Sequence, residues 1–286
     1  MSKAFEFSAA LFGAVCPGPV AIGDVAVRST SWEEWHFLEK SDVANEQAGR
    51  WVWAGMTGEQ VAVQPPPRLV VTSEDPTDWH TEDHSSTQKH RLAVLSLRVA
   101  GVHTFVDPFM TMRTATSGLF VQRQLGPYRM LGYSYLAKPS DRIDAAVAAE
   151  ATALAELIVV RDASLLLRPV LGLCAPSLTP NAKVLIALQL IEGVFGRSTD
   201  KIRGLGFAER LLASGLSADR VTWILDGSQG GGRALRNDVA HGRPISLADA
   251  EKLADFARTA MRRVLEFPTI GDEGTLVERF RQAAWS

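Results

Sequence analysis

The stretch "RALRNDVAHGRP", residues 233–244, follows three glycines, Gly230 to Gly232, and closes on Pro244. Its reading decides how the second half of the chain is understood. The glycines break any preceding helix, "RALRNDVAH" supplies a turn or two of new helix, Gly242 suits a left-handed residue just past a helix end, and Pro244 prevents continuation. His241 is therefore expected to end a short helix. On such a helix Asn237 and His241 lie about 40° apart and share a face, while Arg236 lies about 140° from His241 and must curl its long side chain round the helix to meet it.

The sequence around this stretch is helical in pattern. "DRIDAAVAAEATALAELIVVRDASLLL" (141–167) is almost free of glycine and rich in strong helix formers, so one long helix is expected with Ser140 as its N-cap. "TPNAKVLIALQLIEGVFG" (179–196) has Thr179 as cap, Pro180 at the first helical position and a closing Gly196. A weaker, glycine-interrupted helix is expected over 200–215, and another after Ser217. "SLADAEKLADFARTAMRRVLEFP" (246–268) opens on a Ser246 to Asp249 spacing close to a capping box. Its apolar positions Leu253, Ala257, Ala260, Met261 and Val264 recur at helical intervals before Pro268 ends it. A short helix, "TLVERFRQAAW" (275–285), closes the sequence.

Residues 18 to about 130 have a different texture. Short apolar runs, read as strands, alternate with glycine and proline: "PVAIGDVAVRS" (19–29), "GRWVWAGMTGEQVAVQ" (49–64), "PRLVVTS" (67–73), "KHRLAVLSLRVAG" (89–101) and "GLFVQRQLGPYRML" (118–131). The Leu-Gly-Pro centre of the last marks a hairpin turn. The polar segment 72–90 reads as a loop between strands. The expected fold is α+β: a β-rich recognition or regulatory domain over 1–138, followed by an all-α bundle over 139–286, with the boundary near residues 136–141.

Composition narrows the function classes. Net charge is -2, so the molecule as a whole lacks the field of a protein that coats nucleic acid; a local excess of eight basic over five acidic side chains spans 197–243. The two cysteines, Cys16 and Cys174, form neither a disulfide framework nor a zinc cluster, and a reducing cytosol fits them best. The start of the sequence makes a poor signal peptide, with its acidic Glu6 and short apolar run, and no segment reaches the roughly 18 to 20 apolar residues of a membrane span. A cytoplasmic protein is expected.

An arginine and a histidine five positions apart carry no meaning alone. With 23 arginines and 6 histidines in 286 residues, chance supplies about half of one such pair. Arg98 and His103 have the same spacing inside an expected strand and serve as a decoy. At Arg236 and His241 the context gives the pair a chemistry. An imidazole can take the proton of an RNA 2′-hydroxyl or give one to the leaving 5′-oxygen, and a guanidinium fork can bind the two phosphate oxygens where charge accumulates. One histidine does not readily fill both proton roles; two copies facing across a twofold axis would.

On these residues the helical half resembles a HEPN domain (higher eukaryotes and prokaryotes nucleotide-binding), whose hallmark is Arg, four to six residues, then His, commonly with a polar residue directly after the Arg. Here it stands as "RNDVAHG". The upstream "IALQLIEGVFG" and "GFAERLLASG" are similar to earlier helices of that superfamily, with Glu192 where an acidic residue often supports the site. The resemblance covers about residues 140–270. It implies a metal-independent endoribonuclease, a hydrolase of toxin, abortive-infection or phage-defence (antiviral defence) type, that binds RNA and acts as a homodimer without a cofactor. Arg236, Asn237 and His241 are then the catalytic set, with Glu192 in support. Arg243, two residues after His241, replaces the Tyr of nucleotide-modifying HEPN toxins. Such a nuclease needs restraint, so a trigger or inhibitor protein is expected at the N-terminal domain. The alternative is a non-catalytic HEPN module that binds a nucleotide or a partner protein.

Other features have plainer readings. Arg233 and Arg243 flank the motif and would hold neighbouring phosphates of RNA, or else stay solvated. His80, Asp83, His84 and His90 are metal-ligand types at a spacing that fits no zinc pattern, so no metal is expected. Trp32, Trp35, Trp51, Trp53 and Trp79 read as β-domain core rather than as base-stacking platforms. Gly230 to Gly232 lacks the Lys-Ser/Thr of a phosphate loop and reads as a hinge or helix break.

Overall fold

The computed structural model describes residues 4–31, 66–75, 86–114, 120–124, 141–173, 178–269 and 271–285. The expected strand over 49–64, the five tryptophans Trp32 to Trp79, Cys174, the cap Ser140, the hairpin turn at 125–127 and His80, Asp83 and His84 lie outside the described residues. Strands come first and helices later, a mixed α+β chain. Two compact units divide it, Met1–Glu156 and Leu157–Ser286.

The first unit is built on an antiparallel sheet of six described strands in the order β3-β4-β5-β1-β6-β7. These are β1 (Phe5–Phe12), β3 (Val20–Ile22), β4 (Val25–Arg28), β5 (Arg68–Ser73), β6 (Phe105–Thr114) and β7 (Phe120–Gln124). β2 (Ala14–Val15) instead pairs in parallel with β8 (Asp141–Arg142). The β1 stretch "FEFSAALF" does not alternate, because Phe7 to Phe12 are buried on both faces of the strand, and a doubly covered strand reads as a continuous apolar run. In β6 the register against β1 slips between Ala9 and Leu11, and Pro108, which cannot donate to the ladder, falls within that irregularity.

Residues 89–100 correct the sequence reading: they belong to a helix, α1 (Ser86–Ala100), that packs against β5 and β6. Its buried stripe runs Ser86, His90, Ala93, Leu97, at helical spacing. Two of its four members are polar, which hides the period from a hydrophobicity pattern. Arg98, also buried, donates from Nε to the Thr104 carbonyl, so the decoy pair sits at a helix end rather than in a strand. His103 lies 3.3 Å from the Asp141 carboxylate through Nδ1.

His90 makes the first unit sensitive to acid. Its ring is wholly buried, and burial together with the nearby Arg68 guanidinium pulls its pKa down to about 3, the backbone at Phe7 only partly opposing. Below about pH 6.5 the unfolded chain binds a proton that the folded chain refuses, so stability is fully present above that pH and falls by about 1.4 kcal/mol per unit as pH drops toward 3. Urea titrations of the wild type and of His90→Leu at pH 7 and pH 5 should show the wild type losing about 2 kcal/mol more than the variant; equal losses would refute a buried neutral imidazole.

Helix α2 (Ala145–Val160) begins later than expected, because Asp141 and Arg142 are in β8. Its cap is Asp144, whose Oδ1 accepts from Ala146 N (3.0 Å) and Val147 N (3.1 Å). The long helix expected over 141–167 is two. Asp162 takes φ 48°, with Asp162 N donating to Val159 O and Ala163 N to Ile158 O. This is a Schellman ending with aspartate where glycine is usual, so no glycine marked the break. Helix α3 (Ser164–Leu173) follows.

In the second unit α4 (Pro180–Phe195) starts on the expected Thr179 cap, which accepts from Ala182 N at 3.3 Å, and stops at Gly196. The helix expected over 200–215 is confined to α5 (Phe207–Ala213). Then come α6 (Ala218–Leu225) after Ser217, α7 (Gly232–Ala240), α8 (Leu247–Glu266) and α9 (Leu276–Ala284). Ser246 accepts from Asp249 N at 3.0 Å, and all five expected apolar positions of α8 are buried as it packs along α4. Phe280 of α9 meets Phe195, Phe267 and Trp285 edge to face, 5.3–5.8 Å between centroids. No helix among the described residues is long and apolar enough to cross a membrane.

Candidate functional site

The motif helix α7 is fixed at both ends by backbone geometry. At its start the Asp226 carbonyl accepts from Arg233 N (3.1 Å) and Ala234 N (3.3 Å). The glycines before it are not merely a break. A Cβ on Gly231 would stand 2.5 Å from the Asp226 carbonyl oxygen, and one on Gly232 would stand 2.8 Å from Ile224 Cα, so α7 seats itself directly on the end of α6. The Asp226 carboxylate is held below the usual range by the hydroxyl and N–H of Ser228.

At the other end the motif closes as expected. His241 is the C-cap and Gly242 takes φ 67°. Gly242 N donates to Val239 O (3.0 Å) and Arg243 N to Asp238 O (2.8 Å), the paired bonds of a Schellman ending. Asn181 of α4 then staples the following segment, donating to Arg243 O at 3.0 Å and accepting from Ile245 N at 3.3 Å. Nothing in the sequence around Asn181 marks this role.

Arg233, Asn237, Ala240 and His241 are exposed and Arg236 is half-buried, so α7 turns an arc of about 140° outward with Arg236 at one edge and His241 at the other. Arg236 leans toward α4: its Nη2 lies 3.1 Å from Glu192 Oε1, and its Nη1 lies 3.5 Å from Ser198 Oγ. Arg197 Nε approaches the other Glu192 oxygen at 3.9 Å. The structure thus brings together Arg236 and Glu192, a pair 44 positions apart in sequence, and adds Arg197 and Ser198, which sequence reasoning missed. Asn237 and His241 make no side-chain hydrogen bond among the described residues, and Arg236 makes none to His241. Arg243 is exposed and pairs with Asp238, within the motif, at 3.2 Å.

Family models, curated proteins and solved structures give no match to this chain.

The loop that carries Arg197 and Ser198 is organised by a buried arginine. Arg210 of α5 donates from Nε to Phe195 O (2.5 Å), from Nη1 to Asp200 O (2.7 Å) and Leu205 O, and from Nη2 to Arg197 O (3.1 Å). Its guanidinium carbon also lies 5.9 Å from the ring centres of Phe207 and Trp285. Desolvation pulls its pKa below the ordinary arginine value, an effect the Asp200 charge opposes. Of His80, Asp83, His84 and His90, His90 alone is among the described residues, and no group of three or more His, Cys, Asp and Glu there could hold a metal ion.

Proposed function

We propose that this chain is a metal-independent endoribonuclease of the HEPN type, acting as a homodimer. The 2′-hydroxyl of the substrate attacks the adjacent phosphorus and expels the 5′-oxygen, leaving a 2′,3′-cyclic phosphate and a 5′-hydroxyl. His241 of one copy takes the 2′-hydroxyl proton, and His241 of the other gives a proton to the departing oxygen. Arg236 binds the nonbridging oxygens as charge grows there, held for that task by Glu192, and Asn237 supplies an amide beside His241 on the same face.

The observation that supports this reading is the outward arc of α7, with Asn237 and His241 on one exposed face and Arg236 at the far edge, where Glu192 orients it from 3.1 Å. The test is incubation of purified full-length protein with single-stranded RNA in the presence of a chelator. Fragments ending in cyclic phosphate and 5′-hydroxyl are expected. Fragments ending in 3′-hydroxyl and 5′-phosphate would mean water, not the 2′-hydroxyl, is the nucleophile, and would overturn it. The commitment of the Arg236 fork to Glu192 also favours a second reading, a module that binds a nucleotide or a partner without catalysis; RNA left intact by that incubation would select it.

A further inference from the structure

Arg210 leaves the segment "GRSTDKIRG", residues 196–204, in an unusual position. Two backbone carbonyls of the loop, Arg197 and Asp200, and the two that flank it, Phe195 and Leu205, are drawn inward onto one guanidinium, and Ile202 tucks back to bridge Leu205. The polar side chains Arg197, Ser198, Thr199, Lys201 and Arg203 consequently all face solvent. The single acid of the segment is engaged, since Asp200 Oδ2 accepts from Arg197 N at 3.1 Å. Arg203 Nη1 is turned to the Gln282 carbonyl at 3.3 Å, so two cations, Arg197 and Lys201, and two hydroxyls project from a braced loop. Arg197 Nε lies 3.9 Å from Glu192, and this edge is continuous with the motif, since Ser198 Oγ lies 3.5 Å from Arg236 Nη1.

We infer that the loop 197–203 is the shelf along which the RNA strand runs beside the motif, with Arg197 and Lys201 holding the phosphates next to the one at Arg236. This rests on the nuclease reading and extends it to residues outside the motif. Cations and hydroxyls are the groups that grip a sugar-phosphate backbone, and a shelf of them fixes the register of the strand without reading its bases. The rigid backbone matters because loop ordering then need not accompany binding.

The test uses the full chain carrying His241→Ala, so that the probe stays intact, and a fluorescein-labelled oligouridylate of about twenty nucleotides, with affinity followed by anisotropy across a KCl series. For single strands each phosphate contact contributes about 0.7 to the slope of log affinity against log salt. Adding Arg197→Gln and Lys201→Gln should lower that slope by about 1.4. Arg168→Gln, the loss of one charge at an exposed position on α3, should leave it unchanged. A slope unaffected by the double substitution but lowered by Arg233→Gln would remove the shelf and keep the RNA-binding reading. A fall of about 0.7 from Arg168→Gln, the same per charge as the double substitution gives, would reduce the shelf to bulk charge and overturn it. Absence of binding by the His241→Ala chain itself would overturn both the shelf and the nuclease reading.

Discussion

Replacing His241 by alanine should slow RNA cleavage by at least about 10³-fold while leaving the fold intact. Each proton-transfer role contributes about 10² to 10⁴ in rate, and in a symmetric pair the one substitution removes both the base and the acid. The structural side is equally specific. His241 is exposed, and the bonds that close its helix run through backbone N–H groups of His241, Gly242 and Arg243, all of which alanine retains. Thermal unfolding should therefore move by no more than about 0.5 kcal/mol. Arg236→Lys makes a companion test: it keeps the charge but loses the planar fork, so a nuclease that needs two oxygens gripped at once should lose rate while Lys still pairs with Glu192. Full activity in His241→Ala would remove the imidazole from the mechanism, and with it the reason for a dimer.

Much of this site could be read from sequence because helix ends are local events. Thr179 with Pro180, Ser246 with Asp249, and His241 followed by Gly242 and Pro244 each announce a boundary within four residues, and each boundary falls where expected. The readings that failed depended on partners distant in the chain. The α1 segment was misassigned because its inward stripe includes Ser86 and His90, polar groups whose burial is set by the sheet beneath them. β1 escaped notice because a strand covered on both faces loses its alternation. The end of α2 was hidden because Asp162 fills a place where glycine would have been a signal. In the site itself, the Arg236 to Glu192 pairing was legible only through a resemblance, while Ser198 and Asn181 carry no pattern at all. Arg210 is the extreme case, since all four of its hydrogen-bond acceptors are main-chain carbonyls, and no sequence motif encodes a carbonyl.

That same residue should dominate the stability of the second unit. Arg210→Leu keeps an apolar body among Phe207, Trp285 and the α5 core but removes every donor from the carbonyls of Phe195, Arg197, Asp200 and Leu205. A buried acceptor left without a partner costs about 1–3 kcal/mol, and relaxation of the loop toward water returns part of that. A net loss of about 3–5 kcal/mol follows, a large fraction of the roughly 5–15 kcal/mol that holds a domain together. Arg210→Lys should recover only part of it, because one ammonium has three donors on a single point and cannot span carbonyls arranged around a planar fork. Urea unfolding of the two variants is the measurement. If Arg210→Leu cost less than about 1 kcal/mol, the loop would not depend on the guanidinium, and the outward display of Arg197, Ser198 and Lys201 would need another cause. If it costs what the four lost bonds require, the position of Ser198 against Arg236 is maintained from beneath by a residue that touches neither RNA nor the motif. The rate of RNA cleavage in Arg210→Lys, assayed where that variant is still folded, should then fall although every motif side chain is unchanged.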